Sequence, residues 1–137
     1  MYHSDILLPL IAMAFLSFIA WIKMFITRFR ESKQANIAMD DMHAFNKELP
    51  KKFITSGDNY RNLFEIPVLF YVFVLIIMNM RIDDNIYLAL AWTYVGFRYL
   101  HTIIHISYNK VSHRFFVYFF SCITLWGMWG RLVFELF

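Results

Sequence analysis

Tyr94, Arg98, His101, His105 and Tyr108 follow one another at offsets of 4, 3, 4 and 3 residues, a spacing that stacks them along one face of a helix. They fall in and just beyond the run Ile86 to Ile106, which is otherwise apolar enough to cross a bilayer. A charge at the centre of a membrane helix costs roughly 2.5 to 3.5 kcal/mol on insertion scales, so an arginine there faces a bundle interior or a wet cavity and marks function by default. The chemistry on offer is a permanent cation beside two imidazoles able to donate or accept hydrogen bonds. A seam of interhelical hydrogen bonds would account for the same face without chemistry. His101 and His105, at i and i+4, could also ligate a metal or face a haem. No other apolar run carries a matching histidine pair, and His43 and His113 belong to loops, so a hydrogen-bonding role is the reading preferred and no metal site is assigned.

A second polar group opens the preceding apolar run. Asp58, Asn59, Arg61, Asn62 and Glu65 precede Pro67. Asp58 or Asn59 is expected to cap a helix there, with Pro67 in its first turns, where a missing amide proton is cheapest or produces a kink. Glu65 is the acid nearest to Arg98 within the second to fourth runs and is the expected counter-ion. Arg98 stands about 12 Å along its helix from that end, so the pairing requires tilt or helix extension. Lys110 and Arg114, with Arg28 and Arg30 at the end of the first run, form a basic rim at the same end. Such a rim usually binds lipid headgroups; beside Asn62 and Glu65 it offers partners of both signs to a small anionic ligand that carries an amine.

These groups need rods to hold them, and the composition supplies them. The chain has 137 residues, 60% hydrophobic and 20% aromatic, with 16 Phe and 4 Gly, well beyond ordinary soluble composition. It reads as an all-α integral membrane protein, a single domain over 1–137 with spans at about 6–26, 63–80, 86–106 and 115–134. Period-2 alternation is absent, which argues against a barrel. Short connections at 81–85 and 107–114 predict an antiparallel, up-down four-helix bundle. Segment 27–59 is predicted to be a partly helical loop, broken at Pro50 and at Ser56 to Asn59. The basic residues of loops one and three outweigh Arg81 and Arg131 on the other side, so the positive-inside rule places those loops in the cytoplasm and both termini outside. The net charge of +3 reports orientation in this setting and implies no nucleic-acid partner. Cys122 is the single cysteine, which excludes an intrachain disulfide and a dithiol oxidase. Glycine-rich phosphate loops and hydrolase elbows are absent from the sequence.

The run Arg61-Asn62-Leu63-Phe64-Glu65-Ile66-Pro67-Val68-Leu69-Phe70-Tyr71 resembles the second-helix signature of the MAPEG family, the membrane-associated proteins of eicosanoid and glutathione metabolism, and its bacterial branch most. The resemblance continues through Phe97-Arg98-Tyr99-Leu100-His101 and Arg114 and covers nearly the whole chain. It implies a homotrimer of four-helix bundles in a bacterial inner membrane, with glutathione as co-substrate on the cytoplasmic side between protomers and lipophilic molecules arriving from the membrane. By motif, Asn62 and Glu65 would contact glutathione, Arg98 would brace Glu65, and Arg114 would stand beside the sulfur as the catalytic residue. Arg28 or Arg30 would reach a carboxylate, and His101 and Lys110 match polar family positions. Two departures stand out: Asp58 replaces a common arginine, and His105 replaces a common tyrosine. The implied activity is a glutathione-dependent transferase or peroxidase acting on lipophilic electrophiles. A non-enzymatic lipid-binding accessory protein of the same fold is the alternative. A proton-coupled exporter built on Glu65 fits less well, because Glu65 sits near one interface instead of mid-membrane.

Overall fold

The computed structural model describes residues 5–34 and 51–136, with side chains described from residue 57 onward in the second stretch. Among the described residues five helical segments follow in order: α1 (Leu7–Gln34), α2 (Lys51–Asn62), α3 (Pro67–Asn79), α4 (Asn85–Ile106) and α5 (Val111–Leu136). Among the described residues there is no strand. α2 and α3 together make one rod, giving a four-helix bundle.

The interruption in that rod comes from Pro67. Proline has no N–H to give the Leu63 carbonyl, and its ring crowds that oxygen. α2 therefore closes in tighter turns, with Leu63 N–H on the Tyr60 carbonyl at 3.0 Å and Phe64 N–H on the Arg61 carbonyl at 2.9 Å. α3 restarts with Pro67 in its first turn, where the lost donor costs nothing.

The break expected at Ser56 to Asn59 does not occur, and neither Asp58 nor Asn59 caps a helix, since α2 runs through all four residues. Packing on α1 overrides their local preference. At Gly57 a methyl group would come within 3.0 Å of Arg28 Nη2, so the absent side chain lets α1 lie close, and Asn59 is buried. α1 itself continues past the expected end at Ile26 to Gln34. Residues 35–50 of the expected loop, including Lys47 and Pro50, lie outside the described residues.

Neighbouring rods run antiparallel, as their cross-contacts show. Along α1 and the α2–α3 rod, Arg28 meets Gly57 and Ser17 Oγ lies 3.4 Å from Tyr71 Oη. Phe70 stacks on Tyr94 at 4.6 Å, and Phe73 packs at a tilt against Tyr87 at 5.5 Å. Between α4 and α5, Tyr87 meets Glu135, Phe97 stacks on Phe120, and His101 meets Tyr118.

α4 buries Tyr87, Ala91, Tyr94, Val95, Arg98, His101, Thr102 and His105, a stripe of helical period, while Trp92, Leu100 and Ile103 are exposed. Polar inward and apolar outward is the reverse of what water selects and suits lipid. Three stretches, Leu7–Gln34, Gly57–Asn79 and Val111–Leu136, are long and apolar enough to span a membrane. α4 falls short of that because of its polar stripe, which the other rods enclose.

The end of the bundle holding the α3–α4 turn is tied by side chains. Asp84 caps α4 by accepting from Ile86 N–H at 2.8 Å and pairs with Arg131 at 2.5 Å. Arg131 Nε donates to Glu135 at 2.9 Å, and Tyr87 donates to the other Glu135 oxygen at 2.7 Å. Arg131, which the sequence marked only as an outer charge, thus fastens α5 to the start of α4.

Candidate functional site

Arg98 is completely buried. Its Nε donates to the Tyr94 hydroxyl at 3.2 Å and its Nη2 to the Asn62 main-chain carbonyl at 3.2 Å. That carbonyl is available because the helix stops at Asn62 and its last acceptors have no intrahelical donors. A cation at a helix C-terminus is also favoured by the dipole. The guanidinium lies over the rings of Tyr118 and Tyr94, at 5.1 and 5.6 Å, and Nη1 is buried without a hydrogen-bond partner.

The expected ion pair with Glu65 is therefore replaced by a bond to backbone. Glu65 is exposed and lies within electrostatic reach of Tyr118. It belongs to the turn Leu63–Ile66 that precedes Pro67, where the rod is interrupted.

His101 and His105 are both buried, with ring centroids 5.9 Å apart, and His101 packs against Tyr118. His105 lies within electrostatic reach of Arg114, Asp58 and Lys23, so all four rods converge on it. Arg114, in the first turn of α5, donates from Nη1 to Asn109 Oδ1 at 2.7 Å, while its Nε is buried and unpartnered. It also reaches His101 electrostatically. Arg28 lies against α2 at Gly57.

The structure thus gathers Arg98, His101, His105 and Arg114 with the backbone of Asn62, and sets Arg28 against α2. Arg30 and Lys110 are exposed; Lys110 contributes a backbone carbonyl that accepts from Arg114 N–H at 3.1 Å. Among the described residues no group of three His, Cys, Asp or Glu side chains is placed to hold a metal ion.

Several members escape sequence reasoning. Tyr118 roofs Arg98 and His101, and its place one turn after Arg114 was the available signal. Thr102 follows Arg98 by one turn, Asn59 precedes Asn62 by one turn, and each has a buried oxygen without a partner. Lys23, near the end of the first apolar run, stands near His105.

Five buried polar atoms without partners, Asn59 Oδ1, Arg98 Nη1, Thr102 Oγ1, His105 Nε2 and Arg114 Nε, thus occur in this one polar region. Native structures leave few such atoms unpaired, and each one calls for an unseen water, ion or ligand. Donors and acceptors are both represented, which fits a ligand carrying carboxylates and amides.

No curated protein and no solved structure matches the chain. The sequence model of the MAPEG family matches residues 6–134, nearly the whole chain and every element that builds the site. With a four-helix bundle whose apolar faces turn outward and whose polar stripe turns inward, that match places this protein in the MAPEG family.

Proposed function

We propose that the protein is a membrane-bound, glutathione-dependent transferase or peroxidase acting on lipophilic electrophiles, with Arg114 as the catalytic residue and a cytoplasmic site. The observation that carries this reading is the set of unpartnered buried polar atoms beside Arg114, supplied by α2, α4 and α5. Bound glutathione supplies a sulfur nucleophile for attack on an electrophilic carbon or on a hydroperoxide oxygen.

The residues divide the work. A free thiol ionises near pH 8.5, and each unit of lowering requires about 1.4 kcal/mol of preferential thiolate stabilisation. The Arg114 guanidinium, charged at every accessible pH, supplies that preference once the thiol proton has left to solvent. The side chains of Asn59, Asn62 and Thr102 and the free Arg98 N–H groups offer hydrogen bonds to amide and carboxylate groups. Glu65 faces the ligand's ammonium group, and Arg28, with Arg30 and Lys110 at the rim, draws its carboxylates. His101 and His105 line the floor as hydrogen-bonding groups. The exposed apolar sides of α1 and α5 deliver the electrophile from the bilayer.

Asp58, where relatives commonly carry arginine, removes one cation from this arrangement, and Lys23 near His105 restores a positive charge from α1. In the family's trimeric state, which we also propose for this chain, a neighbouring protomer would close the site. Turnover of a reactive aryl halide or a lipid hydroperoxide by purified, folded protein in the presence of glutathione tests the proposal; no turnover of either refutes it.

A second reading, a non-enzymatic lipid-binding accessory protein, draws on one observation. The bonds of Arg98 hold together a proline-broken rod, a purely architectural use. Arg114→Ala separates the two, because a lipid-presenting protein would keep its lipid binding and an enzyme would lose rate.

A further inference from the structure

The α4–α5 turn carries an arrangement that the site reading does not use. Asn109 has a left-handed backbone, φ 49°, a conformation that asparagine tolerates better than most residues. Its N–H bonds the Ile104 carbonyl at 2.9 Å, which anchors the turn to the end of α4. Its side-chain oxygen then accepts Arg114 Nη1 at 2.7 Å, while Arg114 N–H bonds the Lys110 carbonyl at 3.1 Å. A second brace closes the same turn, Tyr108 Oη to His113 Nδ1 at 2.9 Å.

We propose that Asn109 is the positioning residue for Arg114, fixing its guanidinium with a neutral acceptor so that the full positive charge stays available to a bound thiolate. This rests on the reading of Arg114 given above. An arginine side chain is long and rich in rotamers, and ordering it has an entropic cost; a short charge-assisted hydrogen bond from a rigid turn meets that cost before the ligand arrives. The acceptor's identity matters. An aspartate would hold the same geometry and cancel the charge, whereas an amide oxygen holds it and leaves the charge intact.

Two substitutions separate position from charge. Asn109→Gly keeps the left-handed turn, since glycine adopts positive φ freely, but removes the acceptor. Asn109→Asp keeps an acceptor and adds a negative charge. Two readouts are taken on the full-length detergent-solubilised protein: the rate at which phenylglyoxal modifies Arg114, followed by mass spectrometry, and the pH midpoint of thiolate absorbance from added glutathione.

The glycine variant is expected to label Arg114 several-fold faster and to raise the thiolate midpoint by about one pH unit, a tenfold loss of preference for the thiolate. The aspartate variant is expected to raise the midpoint while labelling at the parent rate. Parent-rate labelling in the glycine variant overturns the proposal, as does faster labelling with an unmoved midpoint. Should the glycine variant not fold, an unshifted midpoint in the aspartate variant overturns it alone. If the parent protein forms no thiolate but the glycine variant labels faster, the glutathione reading fails and the positioning of Arg114 by Asn109 stands.

Discussion

Two arginines of the same type do different work here, and the difference lies in what each one touches. Arg98 is enclosed, bonded to a main-chain carbonyl and a tyrosine hydroxyl, and covered by two rings. Replacing it with Met keeps bulk but strands the Asn62 carbonyl, and the loss of a charge-assisted bond is expected to cost about 2 kcal/mol, read as a lowered unfolding midpoint in detergent. Asn62→Ala should behave in the opposite manner. Arg98 uses the carbonyl of Asn62 and not its side chain, so stability should change by less than about 0.5 kcal/mol, while glutathione affinity measured by calorimetry should fall. Arg114 is half-exposed and holds an unpartnered Nε. Arg114→Ala should leave the fold intact and lower the rate of glutathione conjugation about a hundredfold, the scale of losing one electrostatic stabiliser in a sheltered site. The sequence announced Arg98, because a cation in an apolar run is conspicuous, and Arg114 through its place on the basic rim and in the family motif. It did not announce the partner of Arg98, since that partner is a backbone oxygen left open where α2 ends, ahead of Pro67.

At the scale of elements, the tied end of the bundle depends on Asp84, which serves at once as helix cap and ion-pair partner. The pair is partly exposed and contributes little by itself; the cap is the larger part, so Asp84→Ala should destabilise by about 1 to 2 kcal/mol, seen as a drop in thermal midpoint. The turn just before it offers a gain. Arg81 has φ 54° at the end of α3, where Ile82 N–H reaches back to the Ile77 carbonyl at 3.1 Å, a helix stop that normally favours glycine. Arg81→Gly should therefore hold or raise stability by up to about 1 kcal/mol, whereas Arg81→Val should lower it. The rods themselves were legible: apolar length gave the four helical rods, and a repeat of three and four residues gave the inward stripe of α4. Two features were not. Ser56 to Asn59 look like a break in isolation, yet α1 packs against them and keeps them helical. Pro67 signals a kink or a start equally well, and only the bonds around Leu63–Ile66 decide that it ends one helix and begins another.

The molecule as a whole turns apolar side chains outward along α1, α3 and α5 and gathers its ionic and hydrogen-bonding groups inside, an order that lipid permits and water would undo. Composition made the outward apolar faces legible and spacing the inward polar ones, and the match over residues 6–134 fixed the family. The membership of the inner cluster was legible only in part. Arg98, His101, His105 and Arg114 stood out as polar residues in or beside apolar runs, whereas Tyr118 and Thr102 are ordinary in a membrane helix and acquire meaning through their neighbours. The central claim is that this cluster is built to hold glutathione. A calorimetric titration of glutathione into the purified, detergent-solubilised protein, with thermal unfolding in parallel, tests it most directly. The account predicts saturable binding, weakened in both Asn62→Ala and Arg114→Ala, and a rise in stability of about 2.7 kcal/mol at a hundredfold excess over Kd. A folded protein that gives no binding heat and no shift in its unfolding midpoint, or one whose binding is indifferent to both substitutions, would contradict it.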